Sequence, residues 1–236
     1  MSTGTLYSIG IGPGDPELLT IKASKILSRT RHVFVPKART ARESIALTIA
    51  GAYITEEAEM HELVFPMTSN RNELAAKWNE NAEAIASVLR TGEDACFITL
   101  GDPCLYSTGI YLMRELRKLL PYAQTVIVPG ITSFSAASAL TGFPVGEGKQ
   151  PVTIIPVDHN LDQIRMALQR SGTLVLMKIG ERLPAVLDLL EECDRLEDSV
   201  FISRAGLDNE RVETDLRALK NVPPETGYLS IILVRA

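Results

Sequence analysis

The sequence predicts an α/β protein whose first half builds a mainly parallel sheet covered by helices. Two observations predict it. Apolar runs of strand length alternate with segments of helical period, and strand–helix alternation is the signature of parallel sheets. Several of those runs end in glycine- or proline-rich turns. The chain has 236 residues, enough for one large domain or two small ones and for a real core.

Residues 6–11 read as the first strand. Residues 15–28 read as a helix, with Asp15 able to cap it and Pro16 suited to its first turn. Leu19, Ala23 and Ile26 share one face of that helix. Residues 32–35 form a second strand that Pro36 should end, and a helix over about 42–50 follows. Phe65 and Pro66 close a short extended piece. Ser69 should open a long helix with Leu74, Trp78, Ala82, Ile85 and Leu89 along one stripe. A strand at 94–100 and a helix at 110–120 complete the first half. Pro121 interrupts the pattern, so the domains are expected at 1–120 and 121–236. Beyond it, strands are expected at 126–128, 152–156, 174–177, 200–203 and 228–234. Helices are expected at 161–169, at 184–192 and near Leu216. The second half therefore reads as another α/β domain.

Composition narrows the function. Hydrophobic residues are 45% and charged residues 22%, which suits a soluble globular protein. The net charge of −5, without a basic block, argues against a nucleic-acid partner. No apolar run reaches membrane-spanning length, and no signal peptide is expected before the first strand. The odd trio Cys96, Cys104 and Cys193 implies no disulfide framework and suits a reducing cytoplasm. His32, His61 and His159 are scattered, so no protein-held metal is expected.

The stretch "SIGIGPGDPELLT" (8–20) places Gly10, Gly12 and Gly14 between a strand and a helix. A dinucleotide fingerprint needs G-x-G-x-x-G and an acid after the second strand. Here the spacing is G-x-G-x-G, Asp15 stands where the third glycine belongs, and the second strand runs into "VFVPKA". A P-loop fails as well, because no Gly-Lys-Ser/Thr follows. A bare strand-to-helix corner, with glycines for positive φ, fits this stretch taken alone. Three more stretches sit at strand carboxyl ends, where open α/β sheets bind ligands. They are "TLGDPCLYSTG" (99–109), "VPGITSFSAASAL" (128–140) and "LVLMKIGE" (174–181).

Taken in order, GPGDP, GDP at 101–103, PGITS at 129–133 and the downstream Met-Lys resemble the tetrapyrrole (class III) S-adenosylmethionine-dependent methyltransferases of the cobalamin and sirohaem pathways. The likeness covers essentially the whole chain. Within the family, "VPKA" (35–38) and "GDPCLYST" (101–108) look most like the branch that methylates C20 of precorrin-2 or, in the anaerobic pathway, cobalt-factor II. The resemblance implies two α/β domains with a cofactor and substrate cleft between them, a homodimer, and a cytoplasmic enzyme of cobalamin biosynthesis. It implies S-adenosylmethionine as cofactor, leaving S-adenosylhomocysteine.

Residue by residue, the resemblance implies that Pro13, Leu100, Gly101, Asp102, Leu105, Thr132, Ser133, Met177 and Ala205 bind the cofactor. The segment around Leu229 matches less well. Asp102 is the candidate positioning group or weak base at the transfer site, and Lys178 its companion as partner of a substrate carboxylate. Tyr106 is a candidate hydrogen-bonding group for the substrate. The tetrapyrrole carries carboxylates, so a net-negative protein needs local cations, and Lys37, Arg39, Lys178 and Arg204 are the candidates. Blander roles stay open. Thr132 and Ser133 also suit helix capping, Met177 core packing, and Lys178 a solvated strand end. A non-catalytic tetrapyrrole-binding module and a methyltransferase for another corrin carbon also stay open.

Overall fold

The computed structural model describes residues 3–38, 44–66, 68 and 70–236. The chain divides into two compact units, 1–132 and 133–236. The boundary thus falls later than the expected 120/121. Strand β5 (Thr125–Val128) pairs in parallel with β1 (Leu6–Gly10) and so completes the first sheet rather than opening the second. The proline at position 121 marks a turn between elements of one unit.

In the first unit β2 (His32–Ala38), β3 (Glu59–Phe65) and β4 (Ala95–Thr99) join β1 and β5 in the order β3-β2-β4-β1-β5, every pair parallel. Side chains alternate across it. Leu6, Phe34, Ala95 and Phe97 face α3 (Arg71–Arg90) and α4 (Gly109–Leu119), where Ala82, Ile85, Leu89, Leu112 and Leu116 are buried with them. Trp78 of α3 stacks on Tyr111 of α4 at 4.5 Å between ring centroids. The stripe expected for the long helix is therefore the buried one. Its cap is Asn70, whose side chain accepts the Asn72 and Glu73 N–H groups; the expected opener, Ser69, lies outside the described residues. Arg42, the expected start of the next-shorter helix, lies outside them too, and α2 runs Ile45–Ala50.

Two local expectations change. The 15–28 segment is not one helix. Asp15 caps a single 3-10 turn (Pro16–Leu18), Leu19 and Thr20 are extended, and the Thr20 hydroxyl then caps α1 (Ile21–Leu27). Two good caps five residues apart make two short helices. Pro36 does not end β2. Beyond Phe34 that strand has left β4 and pairs with β3 alone, where a residue without an N–H is tolerated.

The second unit holds a mixed sheet, β6-β7-β10-β8-β9. Its strands are β6 (Val152–Pro156), β7 (Thr173–Met177), β8 (Ser199–Ser203), β9 (Arg211–Glu213) and β10 (Ser230–Arg235). Only β6 and β7 are parallel. Leu174, Leu176, Phe201, Ile232 and Val234 pack with α6 (Asp162–Leu168) and α7 (Leu183–Glu192). Val175, Ile202, Ile231 and Leu233 pack with Ala137 of α5 (Ser133–Thr141) on the other face. The sequence gives no sign of the three-residue β9, which is too short for a periodic signal. The segment near Leu216 is a 3-10 helix, Leu216–Leu219.

All three cysteines are free. Burial in β4 pushes the Cys96 thiol up to about 12, which makes it a core residue. Phe97, fully buried in the same strand, fills the centre of the first core. Phe97→Ala should cost about 3–5 kcal/mol, the usual range for deleting a buried aromatic, read as a lowered midpoint in urea unfolding.

Candidate active site

The strand order makes β4, β1 and β5 neighbours, so the loops leaving their carboxyl ends converge. Their backbones bond directly. The Ile11 N–H donates to the Thr99 carbonyl at 3.0 Å. Gly12 and Gly101 form a two-way bridge, with Gly101 N–H to Gly12 carbonyl at 2.7 Å and Gly12 N–H to Gly101 carbonyl at 3.3 Å. A Cβ on Gly10 would stand 2.5 Å from the Gly101 carbonyl oxygen, and one on Gly130 would stand 2.1 Å from it. The junction therefore closes only where side chains are absent. Gly101 adds a second requirement, because its φ of +68° belongs to the left-handed region.

Asp102 braces this junction. Its Oδ1 accepts the Cys104 N–H at 2.8 Å and its Oδ2 accepts the Gly130 N–H at 3.1 Å. One carboxylate thus fixes its own turn and ties it to the turn after β5. Further along, the buried Ser107 hydroxyl lies 2.9 Å from that of Thr99 and accepts the Gly109 N–H at 3.0 Å. These bonds hold both ends of the loop that presents Leu100, Leu105 and Tyr106. Leu100, Gly101, Asp102 and Leu105 are half-buried, Tyr106 is exposed, and Pro13 is buried in the first turn. Thr132 is half-buried beside Ser133, where α5 begins.

The second unit gathers its candidates at one end of its own sheet. Met177 and Lys178 close β7, Arg204 and Ala205 follow β8, and Leu229 precedes the antiparallel β10. The Arg204 N–H bonds to the Leu229 carbonyl at 2.9 Å. Met177 is half-buried against the α5-side core, Ala205 is buried in it, and Lys178 is exposed. The Arg204 guanidinium sits 5.7 Å from the Tyr228 ring centroid, a cation–π contact.

Backbone strain marks the same turns. Among the described residues, the non-glycines with positive φ are Tyr106, Lys178, Asp194, Arg204 and Leu229. All but Asp194 lie on turns that the sequence had singled out or, for Leu229, had left as the weaker match. Such conformations cluster at ligand sites, where surrounding structure holds them. The sequence carries no local signal for a left-handed leucine, so only the structure gives Leu229 its prominence.

The expected substrate cations do not fare alike. Lys37, near the carboxyl end of β2, has its ammonium 3.0 Å from both Glu62 carboxylate oxygens, so it is already paired. Arg39 lies outside the described residues. Two of the histidines expected to be scattered, His32 and His61, meet in space. Parallel pairing of β2 with β3 brings His32 Nδ1 to 3.1 Å from His61 Nε2.

Comparison with known proteins gives the family. The sequence model of the tetrapyrrole (corrin/porphyrin) methylases matches residues 5–220, and the chain belongs to that family. It is 35% identical over 231 residues to the cobalt-precorrin-2 C(20)-methyltransferase of Salmonella typhimurium, covering 98% of this chain and 96% of that one. It is 26% identical over 242 residues to the precorrin-2 C(20)-methyltransferase of Sinorhizobium sp., covering 99% and 96%. The fold matches the uroporphyrin-III C-methyl transferase from Thermus thermophilus, solved with S-adenosylhomocysteine. That match has a TM-score of 0.64 at 22% identity, covering 98% of this chain and 97% of that one.

Crowding at the junction separates two kinds of glycine. Gly130→Ala places a methyl against backbone on two sides and should cost about 1–3 kcal/mol or more. Gly101→Ala meets no atom within 4 Å, so its cost is that of the left-handed conformation alone, about 1–2 kcal/mol. Urea unfolding of both variants checks the order.

Proposed function

We propose that this protein is an S-adenosylmethionine-dependent methyltransferase that methylates C20 of precorrin-2 or its cobalt-bearing counterpart, cobalt-factor II, in corrin-ring biosynthesis. The carrying observation is the convergence of the family's ordered turns, with Gly12, Gly101, Asp102 and Gly130 bonded to one another at strand carboxyl ends. A cobalt-bearing substrate is favoured, because identity is 35% to the relative named for cobalt-precorrin-2 and 26% to the one named for precorrin-2.

The residues suit a small organic cofactor. Open space stands where a Cβ of Gly101 would be, with no atom beyond its chain neighbours within 4 Å. Pro13, Leu100, Gly101, Asp102, Leu105 and Thr132 are the cofactor residues in the first unit. The assignment of Ser133, Met177 and Ala205 to the same cofactor rests on the family resemblance.

The bound cofactor supplies a methyl group made electrophilic by its sulfonium. The accepting ring carbon is electron-rich through conjugation with ring nitrogens, so no side-chain nucleophile is required; as the C–CH3 bond forms the sulfur leaves as a neutral thioether, and C20 then loses its proton. The chain's task is to hold the reacting atoms in line and keep water out. Asp102 serves here as a positioning residue, since both its oxygens already accept backbone N–H groups. Lys178 and Arg204 are the cations for substrate carboxylates, with Tyr106 as a further hydrogen-bonding group. Lys178 makes no ion pair among the described residues, whereas Lys37 spends its charge on Glu62. A cytoplasmic homodimer is part of the same reading. No helix among the described residues is long and apolar enough to cross a membrane.

Incubation with precorrin-2 and, separately, with its cobalt-bearing counterpart, each with methyl-labelled cofactor, should yield from at least one a product carrying one label, placed at C20 by NMR. Label at another ring carbon, or none from either substrate, overturns the reading. Lys178→Ala should raise KM for the tetrapyrrole about tenfold, the loss expected for one charge-assisted bond, and leave S-adenosylhomocysteine affinity unchanged. Asp102→Asn keeps one acceptor and loses the other. It should lower kcat with the fold intact by circular dichroism.

A further inference from the structure

We propose that His32, Glu59 and His61 form a binding site for a divalent cation of the zinc class, at the opposite end of the first sheet from the glycine turns. His32 opens β2 and Glu59 opens β3, and the two are register partners. His61 lies two residues along β3, on the same face as Glu59. One ligand atom from each residue falls within 4.8 Å of the others.

The spacing and orientation suit one ion. The 3.1 Å between His32 Nδ1 and His61 Nε2 is the separation of two nitrogens bound to a common ion. Zn–N bonds of about 2.0–2.1 Å put neighbouring ligands roughly 3 Å apart. Glu59 Oε2 is 3.6 Å from His32 Nδ1, while its Oε1 is occupied by Arg31. The other ring nitrogen of His32, Nε2, lies 3.2 Å from Glu93 Oε2, which leaves the Nδ1 lone pair directed at His61. A carboxylate behind a ligating imidazole is the usual outer support of a metal site. The His32 side chain is 8% exposed, and the His61 ring stacks on Phe34 at 4.5 Å, so both rings are held in place.

Charge agrees. Glu59 and Glu93 face Arg31, two carboxylates against one guanidinium, which leaves a net negative site around two imidazoles. Two nitrogens and one oxygen favour a borderline first-row dication over Mg²⁺ or Ca²⁺, which take oxygen ligands. Glu59 is about half exposed, so water can complete the coordination. The ion would tie edge strand β3 to β2 and, through Glu93, to the turn after α3.

The test uses tag-free protein stripped with chelator. Calorimetry should give one equivalent of Zn²⁺, no comparable binding of Mg²⁺, and a melting temperature raised by several degrees with Zn²⁺. His61→Ala should lose at least tenfold in Zn²⁺ affinity together with the thermal shift, and His159→Ala should change neither. Zinc-edge absorption of the wild-type complex, which needs no variant, should show two imidazole ligands. Absence of stoichiometric binding, binding untouched by His61→Ala, or a spectrum without histidine would leave only a hydrogen-bonded histidine pair and overturn the proposal.

Discussion

Three backbones meet at the carboxyl ends of β1, β4 and β5, and their contact sets what the first unit can do. The Gly101 carbonyl is approached so closely by Gly10 and Gly130 that one methyl on either would collide with main chain. Parallel neighbours in a sheet run about 4.8 Å apart, so loops leaving three adjacent strands must either splay or interlock. Here they interlock, and the cost is borne by residue choice: glycine at the contacts, aspartate to satisfy the exposed amides. The result is a rigid rim of polar backbone, in the location where parallel sheets take their ligands.

Asp102 gains its meaning from that rim. A carboxylate after a strand, followed by proline, invites a catalytic reading. Its two oxygens are instead committed to Cys104 and Gly130 amides. Charge-assisted bonds of this kind are strong, and they position a loop more than they make a base available. The chemistry needs little else, because the accepting carbon is already nucleophilic and the methyl already activated. In the proposed reaction catalysis is by placement, and the junction and the Thr99–Ser107 pair are the bonds that cross-link these turns.

The second unit reaches stiffness differently. Its turns use ordinary side chains in left-handed conformations, at Lys178, Arg204 and Leu229. Two of them are tied together across the ends of the inner strands β8 and β10 by the Arg204–Leu229 backbone bond. At the other end of the first sheet, strand pairing assembles a charged cluster from residues far apart in sequence, with His32, Glu59, His61 and Glu93 drawn together. One sheet thereby carries two unlike ends, one lined by backbone and the other by side chains.

The sequence by itself determined the α/β class, most of the strands and the glycine-bearing turns at their ends, since periodicity and glycine placement are local properties. The stripe of the long helix and the ordered motifs GPGDP, GDP and PGITS were legible for the same reason. Tertiary structure decided what local chemistry cannot encode. It assigned β5 to the first sheet, because pairing with β1 depends on strand order. It carried β2 through Pro36, because the strand is an edge at that point. It paired Lys37 with Glu62 and His32 with His61, because parallel register places residues far apart in the chain side by side. It put Leu229 in a left-handed conformation, since strain at one residue is imposed by the sheet around it and leaves no mark on the sequence.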